Sequence, residues 1–326
     1  MSESEAAPAP AHAARLALGR LRSPFAAFLT VAVGVAAVAA VTTEGFLTVA
    51  NLKAILFSGS FVGIAAVATA LIMLNGNLFS LSLGITISVA AISFLSALRY
   101  GFVAAVLLTL LLGCAIFAVQ GLVVGVWDAN PIIVTVAAGA IQSGVTTWLT
   151  SGTQVVASGG GTAYDRLGAS IAGIPSGFYV LVVITVASAF VLQRTTFGRS
   201  LYLVGENRRA ARAAGLPVAR ITTSAFAVAG LGAACAGIVL GAFNQTATLD
   251  LGGSYTYDAV AAALVGGIAI QGGHGSVWRA FFGAFFIAAV DNLLLLRGYS
   301  TGVQILVEGI TVVIAVVLVQ IAGRRR

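Results

Sequence analysis

Long apolar stretches separated by short polar links dominate this sequence. A helix needs roughly 20 apolar residues to cross a bilayer, and most of these stretches approach or exceed that length. We predict membrane spans at residues 24–42, 54–75, 80–98, 101–127, 131–150, 176–193, 221–243, 257–271, 278–296 and 303–322. The span at 80–98 contains Gly and Ser and the span at 257–271 contains two Gly, so we expect both to be partly unwound or re-entrant.

Composition supports the same interpretation. Hydrophobic residues make up 59% of the chain, charged residues only 8%, and the mean hydropathy is +1.05. A soluble domain of this length needs far more surface charge. We therefore predict an all-α polytopic membrane protein with about ten transmembrane helices. A tail rich in Ala and Pro (1–22) would precede the transmembrane domain (23–322), and a short basic tail (323–326) would follow it.

The distribution of charge predicts the orientation of the chain. With ten spans, 13 of the 17 Lys and Arg residues fall on one side, in the N-terminal tail, the 194–220 loop, the start of the ninth span and the C-terminal tail. Membrane proteins keep such an excess in the cytoplasm, so we expect both termini there. The opposite side receives Lys53, Arg99, Arg166 and Arg297. The charges lie at membrane edges without interleaved aromatic residues, which argues against a nucleic-acid partner.

The segment Arg194–Arg220 is the most polar one between two spans. It carries six Arg and one Glu in 27 residues. Asn207 is a good helix N-cap, Gly215 can adopt a left-handed conformation, and Pro217 prevents continuation. The pattern predicts a helix of about two turns, which is too short to be stable alone in water. We expect it to bind a partner protein; the alternative is a solvated basic loop that only anchors the topology.

This loop resembles the cytoplasmic loop of ribose-type ABC importer permeases. The sequence FGRSLYLVGENRRAARAAGLPV carries the matching residues Gly198, Arg199, Tyr202, Gly205, Asn207, Ala210, Ala211 and Gly215. The segments at 47–56, 131–152 and 254–284 are also similar, so the resemblance covers most of residues 45–320. Leu78 and Thr256 stand where the family often has Asp and Glu.

The resemblance implies a permease subunit in the inner membrane. A periplasmic binding protein would deliver a small polar solute, a sugar or a similar polyol or nucleoside. ATP and magnesium would bind a separate ATPase subunit, and the permease would pair with a second copy or with a paralogous permease. The two departures weigh against a plain ribose-type substrate and toward pairing with a different permease subunit, and both pairings stay open. The ATPase-coupling residues would be Gly205, Asn207, Arg208, Arg209, Ala210, Ala211 and Gly215.

No motif in the chain indicates an enzyme. The phosphate-binding pattern G-x-x-x-x-G-K-[ST] is absent, and Lys53 is the one lysine of the sequence. Neither a G-x-S-x-G elbow nor an H-E-x-x-H pair occurs. Cys114 and Cys235 lie in apolar segments without metal-ligand spacing. We predict no catalytic site and no cofactor or metal on this chain.

Several polar residues lie within or beside the predicted spans. Polar groups in a membrane are costly and usually face a cavity or one another. We predict a substrate path that includes Asn75, Asn77, Ser80, Gln142, Asp291 and Asn292. The alternative for each residue is a hydrogen bond between packed helices.

Two other transporter classes remain open at this point. One is an ABC permease for branched-chain amino acids, which has a related architecture. The other is a secondary transporter driven by H⁺ or Na⁺, with Asp291 and Glu308 as coupling acids. The links at 151–175 and 244–257 lie opposite the Arg-rich loop in the predicted topology, where a binding protein could dock.

Overall fold

Helices form nearly all of the protein. A computed structural model describes residues 24–157, 161, 164, 167–168, 170–171 and 173–323. The predicted N-terminal tail and the last three arginines lie outside the described residues. The helices are α1 (Pro24–Thr42), α2 (Val49–Leu74), α3 (Leu83–Ala97), α4 (Phe102–Val126), α5 (Pro131–Thr150), α6 (Ser176–Arg194), α7 (Thr196–Glu206), α8 (Arg208–Ala213), α9 (Val218–Asn244), α10 (Tyr255–Val265), α11 (Val277–Leu296) and α12 (Thr301–Gly323).

The helices confirm the predicted fold class. Within the described residues, seven helices are long and apolar enough to cross a membrane. Two further apolar helices, Phe28–Thr42 and Thr301–Ile314, are shorter in the part searched for spans. Together with α10, these helices match the ten predicted segments one by one. The chain is therefore a polytopic, all-α membrane protein.

Two helices begin earlier than the hydropathy pattern predicted. α2 starts at Val49 rather than residue 54, because the Thr48 hydroxyl accepts a hydrogen bond from the backbone N–H of Asn51 at 3.3 Å. The Asn51 side chain in turn donates to the carbonyl of Phe46 at 2.9 Å. α9 starts at Val218, directly after Pro217. In both cases a local stop or cap sets the boundary, and the polar residues that follow are still helical.

The two segments expected to be unwound are irregular in the structure. α3 begins only at Leu83, after a non-helical link over residues 77–80 and a turn. α10 ends at Val265, and a non-helical, Gly-rich link follows before α11. Gly267, Gly272 and Gly273 in that link have positive φ angles of 84°, 88° and 70°. The prediction of partly unwound spans is confirmed.

α2, α3 and α9 form the centre of the bundle, and α4 packs antiparallel along α9. The apolar windows of α2 and α9 are 78% and 72% buried, against 22% for α4 and α5. A Cβ added at Gly121 would lie 2.9 Å from the Cα of Thr223. Small residues thus let the α4 and α9 backbones approach closely, as in other membrane helix pairs. The outer faces of α4 and α5 are left for lipid or a partner.

Short strands close one end of the bundle. β1 (Val155–Val156) pairs antiparallel with β4 (Thr246–Ala247), and β2 (Ser170–Ile171) pairs with β3 (Ile174–Pro175). At the same end the guanidinium of Arg297 donates to the hydroxyls of Thr42 and Thr43. The links predicted to share one side therefore lie together. We call this the strand end; α7 and α8 lie at the other, which we call the α8 end.

Candidate functional site

A helix that the sequence pattern did not predict supports the Arg-rich loop. α7 occupies its first half, and the Thr195 hydroxyl caps it by accepting from the N–H of Gly198 at 3.2 Å. Leu201 and Val204 are fully buried against the bundle. The prediction treated this stretch as loop because arginines surround it. The sequence does contain a signal for α7, because a Thr cap followed by apolar residues three positions apart is typical of an amphipathic helix.

α8 has the predicted punctuation. The side chain of Asn207 accepts a hydrogen bond from the N–H of Ala210 at 3.0 Å, and Gly215 has a φ of 80°. At the C-terminus the N–H groups of Gly215 and Leu216 donate to the carbonyls of Arg212 and Ala211, both at 3.0 Å. This pair of bonds is a Schellman motif, which requires the left-handed residue. The N-cap and C-cap predictions are confirmed.

α8 presents a small apolar face away from the protein. Ala211 points inward and is 5% exposed. Ala210, Ala213 and Ala214 are exposed, and Arg209 is exposed beside them. A helix of six residues is too short to be stable alone in water. Its outer face carries exposed methyl groups, and this face is suited to contact with another protein.

Main-chain contacts between glycines fix α7 and α8 to the α8 end of the bundle. Gly205, the predicted coupling residue on α7, touches the main chain of Gly76 after α2 and of Gly273 before α11. Gly272 also contacts Gly76, and the N–H of Gly273 donates to the carbonyl of Leu74 at 3.1 Å. We call Gly76, Gly205, Gly272 and Gly273 the glycine seam. A side chain at any of these positions would meet backbone, which cannot move aside.

Tyr202 strengthens the same junction. Its hydroxyl donates to the carbonyl of Gly275 at 3.1 Å. Burial raises the pKa of the Tyr202 phenol, and the nearby Arg279 guanidinium opposes that shift. The phenol therefore stays protonated and remains a hydrogen-bond donor at neutral pH.

Arg208 and Arg212, which the sequence pattern placed on the partner-facing helix, bind within the protein. Both reach Asp128, in the turn between α4 and α5: Nη2 of Arg208 lies 3.1 Å from Oδ1, and Nη2 of Arg212 lies 2.9 Å from Oδ2. Arg208 also donates to the carbonyl of Val124 at 3.0 Å. Burial lowers the pKa of Arg208 and Asp128 opposes the shift, so the guanidinium stays charged. We call this three-residue arrangement the Asp128 clamp.

The predicted path residues at the α8 end are buried in contacts between segments. Asn75 donates to the hydroxyl of Thr222 on α9 at 3.1 Å, and Asn77 donates to the carbonyl of Asn75 at 3.5 Å. Ser80 is 2% exposed, and its hydroxyl lies 3.0 Å from that of Ser82. Asn75 and Asn77 thus lie just after α2, whereas Ser80 and Ser82 pair at the start of α3.

A second set of polar contacts joins α3 to α4 and α5. The Ser82 hydroxyl donates to Gln120 on α4 at 3.0 Å, and Thr86 donates to Gln142 on α5 at 2.8 Å. The backbone N–H of Leu81 donates to Thr135 on α5 at 3.2 Å. We call Ser80, Ser82, Thr86, Gln120, Thr135 and Gln142 the polar chain. The amide nitrogen of Gln120 has no hydrogen-bond partner among the described residues.

Asp291 and Asn292 lie apart from the polar chain. Both are on α11, in the half that approaches the strand end. Asn292 is 8% exposed, and Asp291 is partly exposed. The carboxyl group of Asp291 interacts electrostatically with those of Asp258 on α10 and Glu308 on α12. The structure therefore divides the predicted path residues into two groups. In the described residues no cluster of His, Cys, Asp and Glu has the geometry to hold a metal ion.

Two hydrogen bonds between α3 and the α10 region were not predicted. Thr256 accepts from the N–H of Gly84 at 2.8 Å, and Ser88 accepts from the N–H of Gly252 at 2.8 Å. A side chain on Gly84 or Gly252 would overlap the facing backbone. The one signal in the sequence was Thr256, noted above as a departure from the resembling pattern. A short hydroxyl fits this close approach of two backbones.

This arrangement fits a membrane transport protein. The chain is a polytopic helical bundle with buried polar contacts between its helices, and the family comparison shows its class. The chain belongs to the family described as branched-chain amino acid transport system / permease component, whose model matches residues 51–319. It is accordingly the membrane-spanning component of an ABC importer and is not itself catalytic.

Individual relatives agree with this assignment. The chain is 31% identical over 290 residues to the ribose import permease protein of Bacillus subtilis, covering 86% of this chain and 88% of the relative. It is 29% identical to the ribose import permease protein of Escherichia coli K12, covering 86% and 89%. It is 33% identical to an autoinducer 2 import system permease protein of Enterobacter sp. strain 638, covering 77% and 73%. No solved structure matches the chain.

Proposed function

We propose that this permease imports a small polar solute of the sugar class. Relatives that import ribose or autoinducer 2 align with most of the chain. The interior supports a neutral, hydrogen-bonding solute, since the polar chain is built from hydroxyl and amide groups. A branched-chain amino acid carries two charges and an apolar side chain, which the polar chain matches less well.

The observation that carries the proposal is the geometry of α8. It is capped at both ends, anchored on its inner face and exposed on its alanine face. We propose that the ATPase subunit binds this face and that ATP and magnesium bind on that subunit. Since ATP is cytoplasmic, the α8 end then faces the cytoplasm of a cell whose inner membrane holds the protein, with both termini on that side.

The remaining partners follow from this orientation. The strand end would face the periplasm, where the paired links around β1 and β4 would receive a substrate-binding protein. A second copy of the chain, or a paralogous permease, would cover part of the exposed outer faces. The solute would pass beside the polar chain, with Asn75, Asn77 and Ser80 toward the α8 end, Gln142 deeper in the bundle, and Asp291 and Asn292 nearer the periplasm.

ATP binding would act by shifting the bundle between two states. A movement of the helix bundle between two states requires contacts between helices that have two discrete arrangements. Hydroxyl–amide contacts such as Thr86–Gln142 are suited to this, because each group can exchange its partner for a solute hydroxyl or water at little cost.

Uptake in proteoliposomes tests the proposal. The permease, its ATPase and its binding protein would be reconstituted, and uptake of radiolabelled ribose, other pentoses and leucine measured with and without ATP. We expect ATP-dependent uptake of at least one sugar and none of leucine. Uptake of leucine alone would contradict the solute class. Uptake that persists without ATP and collapses with an ionophore would contradict the importer mechanism and favour an ion-coupled transporter.

A further inference from the structure

The Asp128 clamp connects α8 to a part of the chain that is distant in sequence. Arg208 and Arg212 are four residues apart, so their side chains leave the same face of the helix. Asp128 lies opposite that face, 84 residues before Arg212, and Arg212 donates to both of its carboxylate oxygens, at 3.0 and 2.9 Å. Both bonds come from the one Nη2 atom of Arg212, so they are charge-assisted hydrogen bonds that hold this nitrogen between the two carboxylate oxygens. α8 is thus held to the turn between α4 and α5.

The turn that carries Asp128 is short and directly joins α4 to α5, so a movement of Asp128 acts on the ends of both helices. α4 ends against α9: a Cβ added at Gly125 would lie 2.8 Å from the carbonyl oxygen of Ala219. α5 begins three residues after Asp128, at Pro131, and its N-cap Asn130 accepts from the N–H of Ile132 at 2.9 Å. Asp128 itself has a φ of 50°, a left-handed conformation that Asp tolerates better than most residues.

α4 and α5 both carry members of the polar chain. Gln120 precedes Asp128 by eight residues, which is about 12 Å along a helix. Thr135 and Gln142 follow on the buried face of α5. A displacement of α8 that moves Asp128 therefore acts on helices that hold the hydrogen bonds of the polar chain to α3.

Space beside the clamp would permit such a displacement. A hollow of about 500 Å³ lies between the end of α4, the clamp and the start of α9. Its lining includes Asp128, Arg212, Pro217 and Arg220. On this side of α8, the salt bridges to Asp128 and the hydrogen bond from Arg208 to the carbonyl of Val124 are its polar connections to the end of α4 and the turn after it.

We propose that Asp128 is a positioning residue that passes the movement of α8 to α4 and α5. This inference rests on the proposed function, since the movement would be imposed by an ATPase bound to α8. The single carboxylate of the clamp offsets one of the two positive charges of Arg208 and Arg212. Arg209 forms no salt bridge among the described residues and lies on the exposed face, where a partner would meet it.

The clamp should matter more for coupling than for stability. The side chains of Asp128 and Arg212 are 50% and 56% exposed, and exposed ion pairs contribute little to the folded state. The caps at Asn207 and Gly215 do not depend on Asp128. Removing the carboxylate should therefore leave the fold and the ATPase-binding face intact while it weakens the link to α4.

Distance measurements in the assembled complex test this inference. Cysteines would replace Val136 on α5 and Leu231 on α9, both exposed, in a background with Cys114 and Cys235 changed to serine. Spin labels at the two sites would report their separation in nanodiscs, without nucleotide and with ATP trapped by vanadate. Asp128→Ala would be compared with the unchanged residue and with Asp250→Ala, an exposed acid of the strand end. Retention of the ATPase subunit would be measured on the same samples.

We expect the distance change on ATP trapping to be lost in Asp128→Ala and kept in Asp250→Ala, with the ATPase retained in both. An unchanged distance shift in Asp128→Ala would overturn the inference. If Asp128→Ala loses the ATPase subunit, Asp128→Asn would be measured in its place. Loss of the ATPase from Asp128→Asn as well would show that Asp128 only maintains the conformation of α8, and this result would contradict the transmission of movement. Failure of the unchanged protein to bind the ATPase would instead contradict the proposed function and with it the role of the clamp.

Discussion

At the scale of single residues, two glycines of the Arg-rich loop serve different purposes. Gly215 has a φ of 80° and open space around the position of a Cβ, so conformation alone requires the glycine. Gly205 has ordinary helical geometry, but backbone atoms of Leu74, Gly76 and Gly273 occupy the space of a Cβ. The sequence alone predicted the role of Gly215, because Pro217 follows it. The contact at Gly205 depends on two distant segments and could not be predicted from local pattern.

Gly215→Val tests the left-handed C-terminus of α8. A β-branched residue in this conformation costs about 1–2 kcal/mol, so the last turn should reorganise and stimulation of the ATPase should fall severalfold. Membrane insertion should be unaffected. Gly34→Val is the control, because Gly34 also has open surroundings but ordinary helical geometry. Normal ATPase stimulation in Gly215→Val would show that the end of α8 does not determine coupling.

Gly205→Ala tests the glycine seam. The added methyl group overlaps main chain, and overpacking of this kind typically costs about 1–3 kcal/mol. We expect a lower thermal unfolding temperature in detergent and less folded protein, with a smaller effect of Gly34→Ala. Equal unfolding temperatures for the two variants would argue that the seam is looser than the structure shows.

At the scale of elements, hydropathy predicted the spanning helices and their order, whereas capping and side-chain contacts decided their ends. The helix α7 escaped prediction because its apolar residues are few and its arginines many. The predicted path residues separated into two groups because sequence order does not tell which helices pack together. Asp128 was not singled out at all, since nothing near it in sequence indicates that two arginines 80 or more residues later bind it.

α8 should depend on its N-cap more than a longer helix does. Isolated helices shorter than about 12 residues are marginal in water, and loss of an Asn cap costs about 0.5–2 kcal/mol. We expect Asn207→Ala to lower ATPase stimulation in the reconstituted complex, and Asn207→Asp, which caps equally well, to restore most of it. If Ala and Asp behave alike, the cap is not what holds α8 in its binding conformation.

At the scale of the whole molecule, the two ends of the bundle differ in chemistry. The α8 end gathers the glycine seam, the clamp and the loop arginines, whereas the strand end gathers Lys53, Arg297 and the paired strands. Charge counting predicted this division, and the contacts show that the segments of each end lie together.

Reporter fusions would assign each end to a side of the membrane. A phosphatase fused after Thr153, at the strand end, should be active, and a fluorescent protein that folds only in the cytoplasm should be dark there. Fusions after Gly215 should give the reverse pattern. An active phosphatase after Gly215 would place α8 where no ATP is available.

The most direct measurement of the central claim, that α8 couples this permease to an ATPase, is site-specific cross-linking. A photoreactive amino acid would be placed at Ala210 or Ala213 on the exposed face of α8, and at Ala211 on its buried face, in cells that express the whole transporter. We predict cross-links to the ATPase subunit from Ala210 and Ala213 and none from Ala211. Absence of cross-links from both exposed positions, in a transporter that still takes up its solute, would contradict the account.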